Sequence, residues 1–406
     1  MKKFLLTILP LVAVLFLGSC AGDGDGDGSK VYTLTVNVTI PEAYSWEDVT
    51  SETVIARNEL TGVEFAGLKL TDGVYTVIVE PGNYNVNALL ETADMKLSGQ
   101  KMNVSVYSPI AVTTIAAEES LTSPLVIKEF YSAMCKTPAK KNYMYDQFVE
   151  IYNNSAFTQY LDNCLLARTE IAANTKTVLW GTTPEDMKAV AISSYVAGFV
   201  GDGTGKKYPI EPGQSVVVAF QAQNHTIMSD DPATEEVEMN PNTVDLSKAD
   251  YEIDITEYKP AYVANPDVPN LTIVAKPGTQ SVNFGVLPAF GAGLVLAKVD
   301  DIEAYCDVNN EANWVTKPEG TDVNPYLMIR YKDIQDAINV VCVTETQRTC
   351  ALPAQVDAGM IWTSAMYNGM GFTRKVAETV NGRVVYKDTN NSSEDFETEA
   401  KPTPGA

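Results

Sequence analysis

The stretch "QFVEIYNNSAFTQYLDNCLLA" (Gln147–Ala167) decides how this chain folds. Phe148, Val149, Ile151 and Tyr152 form a short run of strand-favouring residues. Asn153, Asn154 and Ser155 follow, all turn formers, and then a second apolar run ends in Cys164-Leu165-Leu166-Ala167. Two short apolar runs split by a polar turn read as consecutive strands.

The neighbouring segments extend the pattern. Upstream, "LVIKEFYSA" (Leu125–Ala133) reads as a strand. Downstream, "YPIEPGQSVVVAFQA" (Tyr208–Ala222) places a Pro212-Gly213 turn before a buried strand, Val216–Phe220. Near the N-terminus, "YTLTVNVTI" puts Tyr32, Leu34, Val36, Val38 and Ile40 on one face at the strand period. "GVYTVIVEPGNYNVNALLE" reads as two strands joined by Pro81-Gly82-Asn83, and "KMNVSVYSPIAVTTIAA" adds more β-branched residues. Residues 31–122 therefore predict a small antiparallel sandwich. Helical spacing stands out once: in "YKDIQDAINVV", Ile334, Ala337, Ile338 and Val341 fall at i, i+3, i+4 and i+7, which predicts a helix.

The order F-V-E-I-Y-N-N, then Y-L-D, then P-I-x-P-G-x-S-V-V-V-A resembles a lamin-tail domain, an immunoglobulin-like sandwich. Gly73–Tyr75 and Pro81–Tyr84 resemble the G-x-Y and P-G-x-Y of prealbumin-like sandwiches, such as carboxypeptidase regulatory-like domains. The spacing departs from the lamin-tail pattern at Thr182–Lys207, a long insertion with "GDGTGKK" punctuation, expected to form an exposed loop. "NHTIMSD", "VDLSKADYEID", "NPDVPNL", "YNGMGFTRKV" and "VVYKDTNNSSEDFE" together resemble a Bacteroidetes lipoprotein family known as a domain of unknown function. The expected fold is all-β. A small prealbumin-like sandwich at 31–122 precedes a larger immunoglobulin-like, lamin-tail-like β domain at 125–400 with minor helix. The segment 401–406, "KPTPGA", reads as a disordered tail.

The N-terminus predicts location. Lys2 and Lys3 precede an apolar run, and Leu17-Gly18-Ser19-Cys20 resembles a lipobox. Residues 1–19 then read as a lipoprotein signal peptide and Cys20 as the acylated residue. Residues 20–30 read as a flexible acidic tether. Asp23, Asp25 and Asp27 match the opening of a calcium loop, but its twelfth position is Leu34 where a bidentate Glu is required. Behind a lipidated Cys they instead resemble a surface-export signal. The expected place is the outer membrane, lipid-anchored and facing outward. A net charge of −23 argues against nucleic acid as a partner, since phosphate binding needs Lys and Arg. It also leaves anchoring to the acyl chain. After Cys20 come Cys135, Cys164, Cys306, Cys342 and Cys350, an odd set in which Cys342 and Cys350 are close enough to staple a hairpin. With no C-x-x-C pair, a zinc ribbon or thioredoxin-type centre is not expected.

No constellation of residues announces catalysis. His225 is the one histidine, no G-x-S-x-G elbow accompanies it, and a local hydrogen-bonding role is expected. The pairs Asp230-Asp231, Glu235-Glu236 and Asp300-Asp301 read as solvated loops in so acidic a chain. Asp245 and Asp250 read as turn caps, and Asn390, Asn391 and Ser392 as a tight loop. Trp46 and Trp180 lie by turns, and Tyr195 and Phe199 lie in the insertion; these four are the contact candidates. The expected role is a non-catalytic binding module without cofactor or metal. Its expected partners are a TonB-dependent receptor, which the family resemblance implies, or a glycan or small nutrient. A glycan-binding or adhesive surface protein is the alternative, and an acid-residue hydrolase the third.

Overall fold

The computed structural model describes residues 30–92, 96–120, 123–169, 189–227, 239–260, 262–277, 291–316, 324–354 and 356–406. Across them the chain is all-β, with two short α-helices, Ile302–Cys306 and Ser392–Asp395. Residues 32–120 build two facing sheets. One runs in the order Leu68–Thr71, Val74–Val79, Tyr32–Thr39, Ile110–Ala116. The other runs Glu64–Ala66, Ser51–Asn58, Gly82–Glu91, Lys96–Val106, Glu118–Ser120. Leu34, Val36 and Val38 alternate inward and meet Val54, Ala56, Tyr84 and Val86 from the facing sheet. The Pro81 turn joins strands of different sheets, so it forms a corner of the sandwich rather than a hairpin. Two contacts fix the corner. The Tyr84 hydroxyl donates to the Glu80 carbonyl at 2.7 Å, the geometry of a tyrosine corner. Gly82 passes so near Asn58 that a Cβ would stand 2.8 Å from its Nδ2.

The rest of the chain is organised by an eleven-stranded sheet. Its order is Ile334–Val340, Ala292–Lys298, Cys164–Arg168, Val196–Gly198, Asn270–Ala275, Tyr251–Ile253, Ser215–Ala219, Phe148–Asn153, Leu125–Tyr131, Gly371–Arg374 and Phe396–Ala400. The sheet curls until distant strands meet: the Ile127 amide donates to Asp336 at 2.7 Å. Phe130, Ile151, Leu166, Phe199, Leu296, Ile338 and Phe372 fill the enclosed core. On the opposite face, Leu165, Val295 and Ala297 are covered by a small sheet of Ala189–Ile192, Pro325–Arg330 and Trp314–Thr316, together with Ile302. Burial on both faces explains why these strands read as unbroken apolar runs. The two halves of the chain touch where Arg57 reaches Glu211 at 2.9 Å and the Thr158 amide donates to Glu64 at 2.7 Å.

Four expectations fail here. "YKDIQDAINVV" is not a helix: Tyr331–Asp333 is a 3-10 turn and Ile334–Val340 a strand. Its polar residues Asp336 and Asn339 are buried and bonded, so spacing of the apolar residues alone misled. The insertion at Thr182–Lys207 is not one exposed loop. Ala189–Ile192 and Val196–Gly198 are buried strands, and among the described residues of the insertion the exposed stretch is Asp202–Lys207. The tail is ordered: the Thr403 amide donates to Glu129 at 2.7 Å. Cys342 and Cys350 do not pair, since the Cys342 thiol donates to Gln347 and both remain free.

Removing the corner hydrogen bond with Tyr84→Phe should cost about 0.5–1.5 kcal/mol in urea unfolding, with the ring still buried. An unchanged midpoint would show that the corner does not depend on it.

Candidate functional site

A cleft of about 790 Å³ lies on interior strands of the large sheet. Its floor comes from Lys128, Tyr152, Ser215 and Val217, and its walls from Lys248, Asp250, Asn381, Arg383 and Tyr386. The Asn381–Tyr386 wall is placed by the F-V-E-I-Y-N-N stretch. Asn154 accepts from the Tyr386 amide at 2.8 Å and donates to the Tyr386 carbonyl at 3.0 Å, holding the hairpin Val376–Val380/Arg383–Tyr386 as a strand neighbour would. The Tyr152 hydroxyl donates to the Val384 carbonyl, and its ring meets Tyr386 edge-on at 4.8 Å. Arg383 donates to the Asn154 carbonyl at 2.6 Å and lies over the Pro212-Gly213 turn. Gly213 adopts φ +76°, and a Cβ there would lie 2.8 Å from the Arg383 Cγ, so the turn needs glycine twice over.

Charged residues lie beneath this surface. Glu150 is fully buried and accepts from Lys128 at 2.8 Å and from the Ser215 hydroxyl. Glu129, one residue along its strand from Lys128, accepts from the amide and hydroxyl of Thr403. Burial raises the Glu129 pKa, and the Thr403 bonds offset part of that rise. On the strand beside Leu125–Tyr131, Arg374 donates to the Ile127 carbonyl at 2.8 Å, to the Lys387 carbonyl at 2.9 Å and to Asp336. Asp388 and Asp395 approach it at 3.5 and 3.6 Å, and its guanidinium lies 4.5 Å from the Phe396 ring centre. Burial pushes Asp336 up, with Arg374 opposing, and burial likewise pushes Asp388 up. Asp357 completes the clasp by accepting from the Asn339, Gly359 and Ser392 amides.

The contact candidates among the described residues, Trp46, Tyr195 and Phe199, do not line this cleft. Tyr195 and Phe199 are 2 % and 0 % exposed core residues, so neither offers a surface. Their strand pairs on both sides, which draws the insertion inward. Trp46 is half-buried and packs over Gly73 against the first sandwich. Cys20, Asp23, Asp25, Asp27, Trp180, Asp230, Asp231, Glu235 and Glu236 lie outside the described residues. Asp301 caps the helix Ile302–Cys306 through the Ala304 amide. Asp245 accepts from the Ser247 amide in an Asx turn and Asp250 from the Val217 amide, and both line the cleft. The segment 389–395 is a tight loop, as Asp395 accepts from the Thr389 amide and hydroxyl.

His225 is buried in a 3-10 turn and makes the expected local hydrogen bond. Its Nε2 donates to the Gln221 carbonyl at 2.9 Å and its Nδ1 accepts from the Tyr143 hydroxyl at 2.6 Å. Burial lowers its pKa to about 4, so the ring is neutral. Nearby Asp146 is fully buried beside the Tyr131 hydroxyl and the Cys135 thiol, and burial pushes its carboxyl up to about 7. Sequence reasoning missed Lys128, Glu129, Glu150 and Arg374. The available signal was a charge inside an apolar strand, as in "LVIKEFY" and "FVEIYN".

A family described as "Protein of unknown function (DUF4876)" matches residues 211–403. That segment holds the Pro212-Gly213 turn, Lys248, Arg374 and the Arg383–Tyr386 wall, while Lys128, Glu129, Glu150 and Tyr152 precede it. The chain is also similar to a DUF4876 family protein from Bacteroides thetaiotaomicron VPI-5482, whose crystal structure was determined at 2.50 Å. The likeness has a TM-score of 0.56 at 25% identity and covers 92% of this chain and 96% of that one. No curated protein matches the chain.

Replacing Arg374 with Met strands the carboxylates around it, and equilibrium unfolding should show a loss of about 3–5 kcal/mol. Asp146 and His225 should give opposite pH signatures. The raised Asp146 value means that its contribution is present below about pH 4 and is lost as the pH rises through about 7. Asp146→Asn should therefore stabilise the protein at pH 8, by about 2–4 kcal/mol, and change little at pH 4. The depressed His225 value means that its contribution, present above the ordinary 6.5, is lost as the pH falls through about 4. A destabilised Asp146→Asn protein at pH 8 would contradict this account of the buried cluster.

Proposed function

We propose that the protein is a surface-exposed outer-membrane lipoprotein that works as a non-catalytic binding module, accessory to TonB-dependent uptake. The observation that carries the binding role is the cleft of about 790 Å³, whose floor is rigid strand and whose walls are fixed by Asn154 and Arg383. Preorganised walls reduce the entropy lost when a ligand or partner is ordered there. Two strongly shifted ionisable groups are engaged in structural bonds: His225 uses both ring nitrogens, and Asp336 is tied to Arg374 and the Ile127 amide. Lys248, Asn381 and Asp250 provide polar contacts at the mouth. Acylation at Cys20 with an acidic tether would confine the cleft near the membrane surface. Confinement raises its effective concentration beside a receptor, so a weak interface suffices.

Crosslinking of intact cells followed by affinity purification tests the proposal. The anchored protein should bring down an outer-membrane receptor, and Lys248→Glu with Asn381→Ala should reduce the yield several-fold without shifting the melting temperature. Cys20→Ala should release the protein from the membrane fraction and abolish acyl labelling. Undiminished receptor recovery from the cleft variant would place the interface elsewhere, and recovery of no receptor would remove the uptake role.

A further inference from the structure

We propose that the floor of the cleft is a site for the main chain of a peptide turned at Pro-Gly, and that residues 402–406 of this chain are its resident, displaceable occupant. This deepens the binding role by naming the class of ligand. Three charged side chains on buried strands supply the recognition. Glu129 is 1 % exposed, and its carboxylate takes both the amide and the hydroxyl of Thr403, at 2.7 and 3.1 Å. Glu150 is 0 % exposed and takes the Gly405 amide at 3.4 Å with the oxygen that Lys128 does not use. Lys128 donates to the Ala406 carbonyl. Two acceptors and one donor thus meet main-chain groups of one segment, which turns at Pro404-Gly405 with Gly405 at φ +75° and the Ala406 amide donating to the Thr403 carbonyl at 3.1 Å. The Thr403 hydroxyl is the single side-chain group they read.

Pro402 is buried, while beyond it Thr403, Gly405 and Ala406 are exposed although their main-chain atoms are engaged. Upstream, the segment is tied independently: Phe396–Ala400 pairs with Gly371–Arg374, and Glu399, at φ +63°, accepts from the Ser364 amide and from Asn368. Anchoring through Glu399 and Pro402 leaves residues 403–406 able to lift without unzipping the sheet edge. Charges buried at a strand surface are costly without partners, so an uncovered floor favours any incoming chain that offers the same amides.

The test uses the full chain, a form ending at Lys401, and a full chain carrying Thr403→Pro, which lacks the amide that Glu129 accepts. The probe is a fluorescein-labelled peptide Lys-Pro-Thr-Pro-Gly-Ala, followed by polarisation. The shortened chain and the Thr403→Pro chain should each bind the probe at least tenfold more tightly than the unmodified chain. Glu129→Gln in either background should weaken binding at least fivefold. A probe with Ser in place of Thr should bind nearly as well, and one with Pro there should not. No binding to either opened form, with both folded, overturns the proposal. If the shortened chain does not fold, the Thr403→Pro chain decides the matter alone. Displacement of the probe by mixed oligosaccharides but not by unlabelled peptide would assign the cleft to glycans and also overturn it. Receptor capture without probe binding would defeat this inference and leave the uptake role standing; probe binding without receptor capture would do the reverse.

Discussion

Arg374 is the contact on which the large sheet depends. It sits near one edge of that sheet, yet it bonds the Ile127 carbonyl, Asp336 on the opposite flank and the Lys387 carbonyl. A curled eleven-stranded sheet must bring remote strands together without leaving their polar groups unpaired. One planar, always-charged fork serves several acceptors at once, which a lysine would not do. The cost is the burial of carboxylates, which pushes up the pKa values of Asp336 and Asp388.

The cleft follows from that closure. Strand Leu125–Tyr131, held to Arg374 through Ile127, also carries Lys128 and Glu129. The next strand, Phe148–Asn153, carries Glu150 and Tyr152 and leads into Asn154, which docks the wall hairpin. Sheet closure, wall and floor thus share two adjacent strands.

Legibility in the sequence divides along one physical line. Tyr32–Thr39 was readable because one face is buried and the other is not, which gives the period-two pattern. The pairing of Phe148–Asn153 with its neighbours was foreshadowed by its turn residues Asn153 and Asn154. Ile334–Val340 misled because both faces are buried and its polar residues have partners distant in sequence, Arg374 and Asp357. Tyr195 and Phe199 misled because glycines around an insertion signal loops, whereas here the strand between them fills the core. The cleft itself was not legible, since Lys128, Glu129 and Glu150 acquire meaning only beside residues 403–406 and 215. Neighbours so far apart in sequence leave no local pattern.

Amide hydrogen exchange on the Arg374→Met protein tests the central claim most directly, that this residue closes the sheet and thereby sets the cleft. Protection should fall together in Leu125–Tyr131, Ile334–Val340, Gly371–Arg374 and the hairpin at 376–386, while strands of the first sandwich stay protected. Loss of protection confined to residues 387–395 would contradict it, leaving Arg374 as a local clamp on one loop.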